Sequence, residues 1–233
     1  DGVHYERSIM YHKIVLEDVM RAAKGVKDAD QLFYQELSAL LQPMTDAMYS
    51  LEEGMGHTPL FNDAGDNVAR SMLSLLAALR EEFSIAPVNK NAFPDAGYYC
   101  LRHQGMKILM DAGEIAPDYM PGHGHCDGLS FELSVDQHPV FVNSGTGQYQ
   151  GSLRGYFRST RAHNTVVIEG EEQSECWGEH RVAKRISQIS GACGADWIHG
   201  ELVTATGRQQ KRTILVDDQN VIVKDQVTGS AQG

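Results

Sequence analysis

The stretch Leu129-Ser130-Phe131-Glu132-Leu133-Ser134-Val135 alternates apolar and polar side chains at every position. Because successive side chains of a β-strand point to opposite faces of a sheet, this alternation predicts a strand with one buried face. Asp136-Gln137-His138-Pro139 then predicts a turn into a second strand at 140–142. The centre of the chain is therefore expected to form antiparallel sheet.

Short runs typical of strands occur on both sides of that stretch and are separated by turn residues. They lie at 98–102, 106–110, 165–168, 182–189, 197–204, 213–216 and 221–223. Many short strands at close spacing favour two antiparallel sheets packed as a β-sandwich. Residues 91–233 are therefore predicted to be an antiparallel β-sandwich domain.

The first part of the chain, residues 1–90, is predicted to be helical. Ser8 and Asp30 are placed to cap two helices, and Pro43 either kinks or divides the second one. Apolar side chains at three- and four-residue steps predict a third helix near 67–83. Helices followed by strands make the predicted fold class α+β.

The composition excludes several classes of protein. The chain has 233 residues, a net charge of −11 and 42% hydrophobic residues, which argues against intrinsic disorder and against a nucleic-acid partner. No apolar run approaches the roughly 18–20 residues of a membrane span. An anionic ligand stays possible, because clustered Arg and His side chains can make the electrostatic potential inside a cleft positive in an otherwise acidic protein. The cysteines are widely spaced and are expected to be buried small side chains: Cys100, Cys126, Cys176 and Cys193.

A first polar cluster covers residues 1–12 and crowds titratable groups, including His4 and Glu6, against a helix start. Tyr11 and His12 would lie in the first turn after Ser8. A tyrosine in such a position is commonly packed with its hydroxyl satisfied, so a purely structural role for Tyr11 stays open.

A second cluster is Pro121-Gly122-His123-Gly124-His125-Cys126-Asp127-Gly128. Two histidines two residues apart point to the same side of an extended backbone, and the glycines allow close approach of a ligand. Together with a later histidine, they could also bind a transition metal, because imidazole suits zinc and similar ions.

A third cluster, residues 154–165, contains Arg154, Arg158 and Arg161 within eight positions. Arginine pairs with carboxylate or sulfate through two hydrogen bonds. The cluster is therefore either a local anion-binding patch or a solvated charged loop.

Together these clusters resemble the heparinase II/III family of polysaccharide lyases. The motifs that carry the resemblance run in order along most of the chain. They are Asp1-Gly2-Val3-His4-Tyr5-Glu6-Arg7-Ser8 with Tyr11-His12, Gly122–Asp127 leading into Leu129–Leu133, Val142–Thr146, Arg158–Val167 and Gln173–Gly178. The resemblance implies the last helices of an (α/α) toroid followed by antiparallel β-sheets. Both ends then look like cuts through a longer protein, with a truncated sheet domain, and the resemblance implies a periplasmic or secreted, bacterial enzyme.

The family cleaves acidic glycans by β-elimination at a uronic acid. The resemblance assigns Tyr11 as general acid, and as base for one sugar epimer, with His123 as the alternative base. A carboxylate-neutralising Asn or His is expected upstream of Asp1, so this chain alone is expected to be a poor lyase. Heparan-type glycosaminoglycans, alginate and bacterial exopolysaccharides all remain open as substrates.

The resemblance also implies binding residues. Arg158 and Arg161 are expected to hold acid groups of the polysaccharide, and His4 and Glu6 to line the substrate site. No cofactor is expected to be required, but a structural zinc ion is implied at His125, Asn143 and His163, where Asn143 stands at the position of the family's Asp.

Two other functions compete with the lyase. One is an acidic-glycan-binding protein that keeps the fold without chemistry, linked to polysaccharide synthesis or processing. The other is a metal-dependent β-sandwich enzyme that uses His123, His125 and His163 together. In either case no membrane span is expected, and an exposed sheet edge could pair with a second copy to give a homo-oligomer.

Overall fold

The computed structural model describes residues 1–229. Its first part contains three long helices, α1 (Ile9–Val26), α2 (Gln31–Glu52) and α3 (Met72–Phe83). The side chains of Ser8 and Asp30 cap α1 and α2 by accepting hydrogen bonds from the backbone of the first turn, which confirms both predicted caps. The third helix begins later than predicted, because the side chain of Ser71 caps it.

Helix α2 passes through Pro43 without dividing. A proline removes one backbone hydrogen bond, but it does not remove the buried face of the helix. Leu41, Met48 and Leu51 on that face are completely buried, so packing holds the two halves of α2 in one helix.

Two larger antiparallel sheets and one two-stranded ribbon follow within residues 1–229. The first sheet has strands β1 (Ala92–Phe93), β2 (Tyr98–His103), β3 (Met106–Asp111), β4 (Phe131–Val135) and β5 (His138–Phe141), in that order. After the short helix α4 (Arg154–Phe157) come the small ribbon β6 (Cys176–Trp177) and β7 (Arg181–Val182). The second sheet has strands β8 (Ser187–Cys193), β9 (Trp197–Val203), β10 (Gln209–Val216) and β11 (Val221–Thr228), with the spatial order β11-β10-β9-β8.

The first sheet is the middle layer of the molecule. One of its faces packs on the second sheet through Ile108 and Leu133 against Ile198 and Ile214. The other face packs on the helical part through residues such as Phe93, Tyr98, Cys100 and Leu109 against Ile9, Leu51 and Phe61. The α+β fold with an antiparallel β-sandwich is thus confirmed, and both sheets are open within residues 1–229. The division at residue 90 stays a prediction.

The strand predictions for two segments, 165–168 and 182–189, were wrong. The segment 165–168 forms only one isolated bridge, because the Thr165 hydroxyl donates to the Gly128 carbonyl at 2.8 Å and ties this segment to the loop before β4. The run 182–189 divides into β7 and β8. Between these strands, the backbone of Ala183 and Lys184 forms hydrogen bonds with the backbone of Glu175, next to β6.

The turn before β5 is shorter than predicted. Only Asp136 and Gln137 form it, both with positive φ (48° and 64°), and strand β5 already begins at His138. Two left-handed residues in a two-residue turn match the twist of a hairpin.

The cysteines follow the prediction in part. Cys100 and Cys126 are buried, whereas Cys176 and Cys193 are partly exposed. Among residues 1–229, no helix is both long and apolar enough to cross a membrane.

Candidate active site

Asp63, on the loop between α2 and α3, is the centre of a buried polar cluster. Its carboxylate accepts a hydrogen bond from His123 Nδ1 at 2.9 Å and one from His125 Nε2 at 2.8 Å. The Arg154 guanidinium donates to both carboxylate oxygens, with Nη2 at 2.8 Å from Oδ2. Asp63 is completely buried. The helical part of the chain therefore supplies the anion that organises histidines of the sheet part.

The backbone around Asp63 is fixed by the loop that carries those histidines. Asn62 donates its backbone N–H to Asp127 Oδ2 at 2.9 Å, and its side-chain oxygen accepts from the backbone N–H of His125 at 3.0 Å. The backbone N–H of Asp63 in turn donates to the His123 carbonyl at 3.1 Å. Asn62 has a φ of 53°, a left-handed conformation that asparagine tolerates better than most residues.

This clustering shifts the pKa values of Asp63, His123 and His125. Burial alone would raise the pKa of Asp63, but the hydrogen bonds from His123, His125 and Arg154 hold it far below its ordinary value. The same bond raises the pKa of His123 above 6.5, against the opposing effect of burial. Because the carboxylate holds the proton on Nδ1 of His123, Nε2 is left as the nitrogen that can accept a proton.

Tyr11 lies directly beside His123. Their ring centroids are 4.7 Å apart, and the Tyr11 hydroxyl is 2.7 Å from the hydroxyl of Tyr149. Burial and the Tyr149 bond raise the pKa of Tyr11. Tyr11 is therefore a neutral phenol near pH 7, which suits a proton donor better than a proton acceptor.

The segment before α1 approaches His123 as well. Glu6 Oε1 lies 4.0 Å from His123 Nε2, and Glu6 Oε2 lies 4.0 Å from His4 Nδ1. The His4 backbone N–H donates to His12 Nδ1, while His12 Nε2 donates to the Met44 carbonyl at 2.8 Å. Burial lowers the pKa of His12 to about 4, so a neutral, fully buried histidine anchors this segment.

The third sequence cluster is not the surface patch that its arginines suggest. Arg158 is 1% exposed, and its guanidinium donates to the carbonyls of Gly124, Glu179 and Arg181. Arg158 therefore supports the loops and presents no free surface to a substrate, which corrects the expectation of a substrate contact. Arg154 is equally buried. Arg161 is exposed, and its substrate role stays a prediction.

The three residues named for zinc do lie together. The rings of His125 and His163 are 5.3 Å apart, and His163 Nδ1 is 3.3 Å from Asn143 Oδ1. Burial lowers the pKa of both histidines, so each is neutral. His125 Nε2 donates to Asp63 and His163 Nε2 donates to the Phe157 carbonyl, so each Nδ1 carries a lone pair.

These lone pairs fit a cation. His125 Nδ1 is buried without a hydrogen-bond partner, and His163 Nδ1 faces the acceptor Oδ1 of Asn143. Two imidazole nitrogens and one amide oxygen match zinc in donor type, but the set lacks a negative charge. Within residues 1–229 no group of three or more His, Cys, Asp or Glu side chains could hold a metal ion. The described residues therefore give no support to a metal centre made from His123, His125 and His163.

Sequence patterns gave no specific indication of Asp63, of Tyr149 or of the pairing of Arg154 with Asp63. The only signal for Asp63 was its place in the polar, breaker-rich run Asn62-Asp63-Ala64-Gly65-Asp66, which resembles many surface loops. Tyr149 follows Gly145-Thr146-Gly147, a run too short to indicate a site.

Several solved structures share this fold. A mutant of the heparan sulfate lyase HepC from Pedobacter heparinus superimposes with a TM-score of 0.77 at 18% identity, over 100% of this chain and 40% of that one. A heparinase III structure gives 0.74 at 21%, over 100% and 41%, and a further heparinase III gene product gives 0.77 at 19%, over 100% and 39%. No curated protein sequence matches the chain. The chain thus spans about 40% of the length of these proteins, whose fold it shares.

The fold therefore defines the class: helices packed on an antiparallel sandwich, as in the heparinase III structures. The profile of the heparinase II/III-like C-terminal domain matches residues 86–233. The chain belongs to the heparinase II/III-like family.

Proposed function

We propose that the protein is a polysaccharide lyase that cleaves uronic-acid-containing acidic glycans by β-elimination. The observation that carries this proposal is the contact between the Tyr11 and His123 rings, tilted at 52°, together with the hydrogen bond from Nδ1 of His123 to Asp63. A proton donor and a proton acceptor thus lie side by side. β-Elimination needs such a pair, because one group removes a carbon-bound proton and the other protonates the leaving oxygen.

The reaction follows from the protonation states of the two residues. Nε2 of His123 takes the proton from C5 of the uronic acid, and the electrons of the C5–H bond form the C4–C5 double bond. The C4–O4 bond breaks, and the Tyr11 hydroxyl gives its proton to the departing oxygen. The imidazolium that forms on His123 is stabilised by Asp63, as in other His–Asp pairs.

We also propose that a structural zinc ion would be held by Nδ1 of His125, Nδ1 of His163 and Oδ1 of Asn143. The support is the unpartnered Nδ1 of His125 and the facing acceptors of the other two residues. When bound, the ion would fix the loop behind His123 and would supply no chemistry to the elimination.

The test measures ultraviolet absorbance of the unsaturated uronate while the whole protein that contains this chain meets heparan sulfate, alginate and bacterial exopolysaccharides. Tyr11→Phe and His123→Ala should each lower the rate by roughly 10²-fold or more. Tyr156→Phe and His138→Ala, exposed residues outside the cluster, are the matched controls and should leave the rate unchanged. Binding of a polymer without any absorbance change would instead favour a glycan-binding protein.

A further inference from the structure

Cys126 and Cys176 face each other although they are 50 positions apart. Their Sγ atoms are 3.6 Å apart and both thiols are free. A disulfide has an S–S distance of about 2.05 Å, so the sulfurs need to approach by only about 1.5 Å. We propose that Cys126 and Cys176 form a reversible disulfide by exchange with a low-molecular-weight disulfide, and that this bond fastens the loop carrying His123 to strand β6.

The two thiols differ in access. Cys126 is buried, and its Sγ lies 3.4 Å from the Ser174 carbonyl oxygen. Cys176 is partly exposed beside a small cleft of about 100 Å³ that is lined by both cysteines and by Gly155, Arg158, Ser159, Glu172 and Gly178. A small disulfide therefore reaches Cys176 first, and Cys126 is placed to resolve the intermediate.

The surroundings of Cys176 agree with that order of events. The hydrogen bond with Cys126 and the positive charge of Arg158 lower the pKa of the Cys176 thiol, although burial opposes the shift. The thiolate is the form that attacks a disulfide.

The exchange balances in two steps. The Cys176 thiolate attacks one sulfur of the small disulfide, such as oxidised glutathione, and releases one small thiolate, which takes up the proton that Cys176 lost. The Cys126 sulfur then attacks the Cys176 sulfur of the mixed disulfide and releases the second small thiolate, while the Cys126 proton passes to that departing thiolate. The protein is oxidised by two electrons and the small disulfide is reduced to two thiols.

The bond would join two segments that both border the candidate site. Cys126 lies three residues after His123, and its backbone N–H donates to the Arg158 carbonyl at 3.0 Å. The ribbon of β6 and β7 carries Glu179, whose carbonyl accepts from both Arg154 and Arg158. A disulfide here would covalently join the loop that carries His123 to the ribbon that binds the Arg154 and Arg158 side chains.

The other two cysteines are separate from this pair. Cys100 lies in the core between the first sheet and the helices, with its thiol toward the Ser50 carbonyl. The Cys193 thiol donates to the Asn91 carbonyl at 3.4 Å. Cys193, partly exposed like Cys176, is therefore the natural control.

The test treats the folded whole protein with oxidised glutathione, blocks the remaining thiols with iodoacetamide in denaturant, and maps the peptides without reduction. The expected result is one linked peptide pair containing Cys126 and Cys176, with Cys100 and Cys193 alkylated. The Tm should rise by about 5 °C or more on oxidation and return with dithiothreitol. Cys193→Ser should keep the link and the shift, and Cys176→Ser should lose both.

Two results would overturn the proposal. One is alkylation of both Cys126 and Cys176 after oxidation of the wild-type protein. The other is glutathione retained on Cys176 with no link to Cys126. Both are read from the wild type, so they do not depend on the folding of a variant.

Discussion

Asp63 Oδ2 accepts a hydrogen bond from Nδ1 of His123 at 2.9 Å, so a residue of the helical part sets the protonation of a histidine in the sheet part. The bond raises the pKa of His123, which means that the imidazole loses its role as a base when the pH falls below that raised value.

Replacing Asp63 by Asn should move the acidic limb of the pH profile. An amide stabilises the imidazolium less than a carboxylate, so the pKa of His123 falls and the limb of kcat/KM shifts to lower pH. The rate should also fall by roughly 10²–10⁴-fold, because the amide no longer holds the proton on Nδ1. The pH dependence of kcat/KM measures both effects, with the exposed Asp66→Asn as control. A lower rate with an unmoved acidic limb would contradict the base role of His123.

The Tyr149→Phe change tests the hydroxyl that touches Tyr11. Loss of one hydrogen bond to the proton donor should lower kcat by about tenfold, well short of the effect of Tyr11→Phe. Steady-state rates of both variants, with Tyr156→Phe alongside, separate the two roles. If Tyr149→Phe were as slow as Tyr11→Phe, the donor would be Tyr149.

The Asn143→Asp change tests the zinc site. A carboxylate adds negative charge to an otherwise neutral donor set, so zinc should bind about tenfold or more tighter than in the wild type. Competition with a chelator measures the affinity, and the exposed Asn67→Asp is the matched control. Equal affinity in wild type and Asn143→Asp would place the ion elsewhere.

Asp111 should make stability depend on pH. Burial raises the pKa of Asp111 to about 7, although the backbone N–H of Gly113 donates to its carboxyl group and opposes the shift. The folded state favours the protonated acid, so this contribution to stability is present below about pH 4 and is lost as the pH rises to 7. Asp111→Asn should therefore gain stability over the wild type, on the order of a few kcal/mol, between those pH values.

Urea unfolding at both pH values measures the difference, with the exposed Asp28→Asn as control. A constant difference between wild type and Asp111→Asn at the two pH values would show that Asp111 does not titrate in this range.

The sequence predicted local structure better than the meeting of distant segments. The alternation at 129–135 and the caps Ser8 and Asp30 depend on neighbouring residues, so local patterns sufficed. The segment 165–168 has residues typical of strands, but it does not pair as a strand. The Thr165 hydroxyl instead donates a hydrogen bond to the Gly128 carbonyl, 37 positions away.

The site shows the same division. Motifs within single segments were enough to indicate Tyr11 and His123, whose rings are in contact. Arg158 was expected to face the substrate because of its positive charge. The sequence gives the charge of a side chain but does not show which way the side chain points. Asp63 was missed because its partners His123, His125 and Arg154 are 60 or more positions away.

The first sheet is covered on one face by the second sheet and on the other by the helices. Tyr98 and Tyr99, adjacent on β2, are both buried because they belong to different cores. The change from helices to strands near residue 90 should therefore not divide the chain into independently unfolding parts. Helices and sheets should unfold in one transition, and residues 91–233 expressed alone would expose an apolar sheet face to water and self-associate.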